Sequence, residues 1–200
     1  MNTHQALKLE VRSLRALDNM AGDRLMTGKW NGASMPYVAP QAPGATDAWT
    51  QESAGRGGQR LTEVGETSPP EEVRAALQLP PGELAIVRRR EIRLDGNVIE
   101  LADSYYSKSL AAGTPLAATK KIRGGAPTFL ASLGYRASRV IEAVEARAAT
   151  PDEAERFATA AGAPVLTLLR TNLTSTGEPY EAMVMVMKTP RVLRYEMEVD

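Results

Sequence analysis

The 200-residue chain has no cysteine, one histidine, few aromatic residues (5%) and no excess of either charge, with 24 Lys and Arg against 24 Asp and Glu. The first absence excludes disulfides, thiolate metal sites and a cysteine nucleophile. The lone histidine, His4, excludes a histidine-based triad and a histidine-rich metal centre, so neither metal nor cofactor is expected. An autonomous nucleic-acid binder usually carries a basic excess, and nothing in these totals asks for one. No apolar run approaches the ~18 residues of a membrane span. Residues 1–20 carry charges throughout and lack the apolar centre of a signal peptide, so a cytoplasmic location is the expectation.

What is present is globular: 43% apolar and 24% charged residues, enough to bury a core unaided. Residues 5–20 predict a helix, with Leu7, Val11, Leu14 and Leu17 at helical spacing. Glycine and proline repeatedly interrupt 28–58, which reads as an irregular connection whose Trp30, Tyr37 and Trp49 dock on the body. The expected division is therefore 1–58, helix and linker, and 59–200, a folded domain.

Within that domain, 59–66 predicts a strand carrying Leu61 and Val64. Ser68-Pro69-Pro70-Glu71 predicts a capped helix reaching about Leu79. Residues 84–94 and 98–106 predict a hairpin about Asp95-Gly96. A short helix at 128–133, a strand at 139–147 and a second capped helix from Thr150 to Gly162 follow. A hairpin of 164–172 with 179–187 and a final strand at 192–199 close the chain. Seven strands with short helices and hairpin links imply an α+β fold with a mainly antiparallel sheet and no internal repeat.

The segment 84–94 carries the most chemistry. Its even positions place Arg88 and Arg90 on one strand face with Leu84, Ile86, Ile92 and Leu94. Arginines on an apolar face need anionic partners, because an unpaired buried charge is costly. A two-residue turn at Asp95-Gly96 would set Arg88 opposite Asp103 and Arg90 opposite Leu101, leaving Arg90 for a bound anion. The alternative is that both arginines end in internal salt bridges with Asp103, Glu142 or Glu181. Lys120-Lys121-Ile122-Arg123-Gly124-Gly125, ahead of a helix start, reads either as an anion-attracting turn or as a plain surface loop. Met183, Met185 and Met187 share a strand face and are core or pocket lining.

Residues 59–200 resemble the UTRA domain of GntR/HutC transcription regulators. The blocks that carry the resemblance run in the family's order. They are Val87-Arg88-Arg89-Arg90, Asp95-Gly96, Asp103-Ser104-Tyr105-Tyr106, Leu110 through Leu116, Gly124-Gly125, Leu133-Gly134-Tyr135, Glu145 through Ala154, Pro164 through Thr171, and Gly177-Glu178-Pro179-Tyr180-Glu181. The resemblance implies a chorismate-lyase-like antiparallel sheet with short helices, a homodimer, and a pocket for a small anionic metabolite such as a sugar phosphate or metabolic acid. It maps ligand contacts onto Arg88, Arg90, Thr128, Glu181 and Tyr195, and onto Arg136 or Arg139, with Asp103 beside them. Two departures stand out. Ala102 occupies a position where many members have glutamate, and no winged helix-turn-helix pattern appears in residues 1–58, so DNA contact is expected only through a domain this chain does not show.

Three functions follow as expectations: an effector-sensing and dimerisation domain of a regulator; an enzyme reusing the fold, with Arg88 and Arg90 holding a carboxylate and Glu181 or Tyr195 as acid–base; or a ligand-free interaction module.

Overall fold

A computed structural model of the chain describes residues 30–32, 34–42 and 48–197. The predicted helix at 5–20 lies outside the described residues. Six strands form one antiparallel sheet in the order β2-β3-β4-β7-β6-β5. They are β2 (Gly57–Thr67), β3 (Ala85–Leu94), β4 (Asn97–Ser107), β5 (Arg139–Ala148), β6 (Pro164–Leu173) and β7 (Pro179–Lys188). A separate ribbon pairs β1 (Trp30–Gly32) with β8 (Tyr195–Met197). The expected terminal strand at 192–199 thus begins only at Tyr195, and it joins the N-terminal linker in place of the main sheet.

Strand, helix, strand, strand occurs twice, as β2-α3-β3-β4 and β5-α6-β6-β7, with α3 at Glu71–Ala76 and α6 at Pro151–Arg156. β4 and β7 meet at the centre, so the halves are related by an approximate two-fold that sequence comparison did not show. Both helices start at a Ser/Thr-Pro stretch, yet only the second is capped as expected. Thr150 Oγ1 accepts from the Glu153 N–H, and the Glu153 carboxylate accepts from the Thr150 N–H at 2.8 Å. At the first, Pro70 is the cap and Ser68 makes no capping bond. Positive φ at Gln78 and Ala158 ends the two helices earlier than expected, before Leu79 and Gly162.

The helices cover one sheet face. Val73 and Leu77 pack on Ala85, Val87, Tyr105 and Ala182, while Ala154 and Phe157 pack on Val98, Leu101, Val165 and Val186. The opposite face is closed at one end by α4 (Lys108–Ala111), a 3-10 turn (Pro115–Ala117) and α5 (Gly125–Ser132), which surround Ile86, Tyr106, Leu116 and Leu130. Its other end is closed by the linker, through α1 (Met35–Val38) and α2 (Ala48–Glu52). Tyr37 and Trp49 pack there on Ala102, Leu168, Met185 and Met187, so both dock as expected.

Two irregularities set which side chains share that face. Asp95 and Gly96 both have positive φ, the turn type that Asp-Gly favours in a hairpin. Beyond the turn, the register shifts between Ile92 and Arg93, with Ile99 as the extra residue of β4. A one-residue slip exchanges the faces of everything beyond it. Arg88 therefore stands opposite Ser104, Arg89 opposite Asp103 and Arg90 opposite Ala102. A second shift, between Leu61 and Glu63, brings Leu61 opposite Arg90 and Val64 opposite Arg88, so both apolar residues of β2 join the arginine face.

Candidate functional site

The arginine face has a floor of three rows across the sheet. Val64, Arg88, Ser104, Met183, Arg170 and Glu142 make the central row. On one side Tyr106 and Ile86 adjoin Glu181 and Asn172. On the other, Arg90 and Ala102 adjoin Met185 and Leu168.

The two predicted arginines differ in employment. Arg88 is buried and turns to backbone. Its Nη1 donates to the carbonyls of Pro115 (3.2 Å), Leu116 (2.9 Å) and Ala118 (2.6 Å), and its Nη2 to that of Lys120 (3.2 Å). Burial is the main influence on this guanidinium and lowers its pKa from the usual arginine value. Arg88 is thus a clamp for the 115–120 loop, where the sequence suggested a salt bridge or a ligand. Arg90 donates from Nη2 to Ser104 Oγ at 2.8 Å and lies 3.7 Å from Met183 Sδ. Its Nε is buried with no hydrogen-bond partner, and no carboxylate among the described residues lies within salt-bridge distance of it.

Asp103 is a correction. The register shift places it on the helix-covered face, where it pairs with Arg89; Arg89 Nε also meets Glu63 at 3.1 Å. Burial raises the Asp103 pKa against the opposing pull of Arg89. Arg136 is exposed in the connection after α5, and Arg139, also exposed, alternates onto the face away from Arg170 and Glu142. Neither joins the cluster.

Glu181 does join it, at 4% exposure. Its carboxylate accepts from the Tyr106 hydroxyl at 2.6 Å and from Asn172 Nδ2 at 2.8 Å. Burial first, and then this carboxylate, hold the Tyr106 phenol well above its ordinary pKa. The Asn172 amide oxygen is left buried and unpartnered. Tyr195 reaches the rim from β8, its hydroxyl donating to Glu142 Oε2 at 3.2 Å.

Thr128 enters from above, in the first turn of α5. Gly124 has φ +76°, and a Cβ there would lie 3.2 Å from Thr128 Cγ2, so glycine is what permits this close turn. Lys120, Lys121 and Arg123 are exposed while Ile122 is buried, which is the surface-loop reading of that basic stretch. Thr128 Oγ1 accepts the backbone N–H of Gln41 at 3.0 Å.

Sequence reasoning missed Arg170, the most buried cation of the floor with Arg88. Its Nε donates to Glu142 Oε1 at 2.8 Å and its Nη2 to Ser34 Oγ at 2.5 Å. Arg170 lies on β6, the strand that corresponds to β3 in the other half, so the central row of the floor carries one arginine from each half. The signal available was the alternation of Leu166, Leu168, Arg170 and Asn172, a polar pair continuing an apolar face.

The family model described as the UTRA domain matches residues 54–192. The chain belongs to the UTRA family. Among solved structures it is similar to the ligand-binding domain of a regulator assigned to the GntR family from Bordetella bronchiseptica (22% identity, 89% of this chain and 100% of that one, TM-score 0.59). It is also similar to the effector domain of PhnF from Mycobacterium smegmatis (17% identity, 76% and 93% covered, TM-score 0.61). A transcriptional regulator from Streptomyces coelicolor gives 22% identity, 71% and 93% covered, and a TM-score of 0.60. At these identities the likeness is one of fold, and the fold is the expected chorismate-lyase-like α+β type. A search of the curated proteins gives no match. Family and neighbours together support a regulatory ligand-binding domain. The described residues contain no helix long and apolar enough to cross a membrane and no cluster of metal-binding side chains. The matched UTRA segment begins after α1 and α2, which nevertheless pack on its arginine face.

Proposed function

We propose that this UTRA domain senses a small anionic metabolite bound on the arginine face, between the sheet floor and α5. The carrying observation is Arg90: a cation in a row with Ala102, Met185 and Leu168, its Nε sealed from water without a partner. Leaving such a donor unpaired costs about 1–3 kcal/mol, and a bound anion removes that cost. The Thr128 hydroxyl accepts from Gln41 and keeps its own proton for the ligand. Ser104 orients Arg90. Glu181, fixed by Tyr106 and Asn172, and Tyr195 at the rim shape the polar side, while Arg88 serves the site indirectly by holding the 115–120 loop. The Asn172 amide oxygen calls for a donor, which favours an anion that also carries a hydroxyl or amino group. The wider reading is a homodimeric, cytoplasmic effector domain of a HutC-type regulator, residues 59–200 forming its body and a winged-helix domain making the DNA contacts. Ligand then acts by shifting a conformational equilibrium.

The test is a thermal-shift screen with inorganic phosphate, sugar phosphates and di- and tricarboxylates, followed by native mass spectrometry of any hit. A sensor gives a concentration-dependent rise in Tm with the ligand recovered unchanged. Arg90→Ala should abolish that rise and Arg89→Ala should leave it. Equal effects of the two would sink the assignment, and a ligand recovered chemically altered would make the protein an enzyme.

A further inference from the structure

Residues 34–41 lie across the arginine face without being part of the sheet, and they are braced mainly on themselves. The Gln41 side-chain amide donates to the carbonyls of Pro36 (3.1 Å) and Ala39 (3.4 Å), and Tyr37 and Ala39 donate their N–H groups to Ser34 and Met35. Pro36 and Pro40 stiffen the segment further. Ser34 stands at the cap of α1 but makes no capping bond; its hydroxyl oxygen accepts from Arg170 Nη2. Two polar contacts tie this unit to the floor and to α5, Ser34 to Arg170 and Gln41 to Thr128, together with the docking of Val38 and Tyr37. The Tyr37 hydroxyl also donates to Glu52 on α2, which is anchored by buried Trp49. Among the described residues, the two buried side-chain atoms without a hydrogen-bond partner, Arg90 Nε and Asn172 Oδ1, belong to this same face.

We propose that residues 34–41 form a strap that opens as a unit to admit ligand and closes over it, with Ser34 and Gln41 completing the site, so that occupancy fixes the position of the chain upstream of Ser34. This rests on the ligand-site reading above. The physical logic is a mismatch of strengths. The strap holds itself together with more hydrogen bonds than it makes to the site, so it separates whole at less cost than it unravels. Closed over a ligand, the hydroxyls of Ser34 and Thr128, each already accepting one bond, are poised to donate to it.

The chain's lack of cysteine makes the test direct, since one introduced thiol reports alone. Val38→Cys places it on the strap at a site 4% exposed, and Val73→Cys places it on the helix-covered face at 0% exposure. An aromatic disulfide reagent then reads opening. The expected result is labelling of V38C at least tenfold faster than of V73C, with little dependence on low urea. Adding Thr128→Val should speed V38C about fivefold by removing the Gln41 latch, roughly the loss of one ordinary hydrogen bond. Equal rates with equal urea dependence would mean the strap opens only on global unfolding, and would overturn the proposal. Amide exchange at Gln41 in the unsubstituted chain gives the same answer should V38C fold poorly: exchange faster than that of core amides supports the strap, and exchange as slow as theirs overturns it. Inorganic phosphate tests the coupling. Where phosphate raises Tm, it should slow V38C labelling, and an unchanged rate would overturn the closure. Where phosphate leaves Tm unmoved in all forms, it is the phosphate-binding expectation that fails, and the strap is still judged by V38C against V73C.

Discussion

Arg88 and Arg90 sit two residues apart on one strand face, yet the structure separates their roles cleanly enough to be measured. In Arg88→Met the apolar stem is kept and the guanidinium is lost. The bond to the Leu116 carbonyl is buried, so that acceptor is stranded, at about 2 kcal/mol. The carbonyls of Pro115, Ala118 and Lys120 are partly buried, so water replaces some of what they lose, about 0.5 kcal/mol each. The variant no longer desolvates a charge, which offsets roughly 1 kcal/mol. The net expectation is a loss of about 2–3 kcal/mol, or a fall in Tm of about 5–10 °C for a chain of this size. Arg90→Met gives up one bond to Ser104 and removes a donor that had no partner, so its Tm should change by no more than ~3 °C. Differential scanning calorimetry of the two variants beside the wild type is the assay. An Arg88→Met protein as stable as wild type, or an Arg90→Met protein destabilised as much as Arg88→Met, would refute the division into clamp and ligand contact.

Two further perturbations test the frame around the site. Gly57→Ala should expel Trp49, because a Cβ at Gly57 would collide with the indole and with Ser53, while Trp49 Nε1 donates to the Arg93 carbonyl at 3.1 Å. In a Trp30→Phe background the emission should shift to longer wavelength with a stability loss of about 2 kcal/mol; unshifted emission would refute the collision. Glu91 is the second. Its hydrogen bond with Arg60, reinforced by Arg93, holds its carboxyl at about 2 against a usual 4.5. A depressed folded pKa gives stability that is complete above pH 4.5 and lost as pH falls toward 2. Glu91→Gln should therefore be less stable than wild type at pH 7, with the gap in urea midpoint closing as pH falls through that window; a gap unchanged at pH 3 would show that the ion pairs are not its source.

Much of the fold was legible because it depended on local rules. The Asp-Gly hairpin, the Thr150 capping box and the alternation of Arg88 and Arg90 with aliphatic residues each rest on contacts within a few residues, and each appears as expected. The docking of Tyr37 and Trp49 was also legible, since large aromatic groups in a Gly- and Pro-rich stretch have a strong reason to leave water. Errors arose where one residue of register carried the outcome. The bulge at Ile99 leaves no mark in the alternation of either strand, yet it moves Asp103 from Arg88 to Arg89 and so from one face of the sheet to the other. The terminal strand was legible as a strand, but its partner was not: an edge can pair with any suitable partner, and β8 found β1, far away in sequence.

The candidate site divides along the same line. The sequence alone determined that an arginine-bearing face exists, that no cysteine serves it, and, through its family blocks, which fold it sits in. Only the tertiary structure decided that Arg88 is spent on four carbonyls, that Arg170 from the other half of the pseudo-symmetric sheet shares the floor, and that the linker reaches Arg170 through Ser34. The physical reason is range. Periodicity and capping are written in neighbouring residues, whereas the partner of a buried charge is whichever group the folded chain brings within about 3 Å; the nearest in sequence lies 27 residues from Arg88 and 28 from Arg170, whose other partner, Ser34, is 136 away.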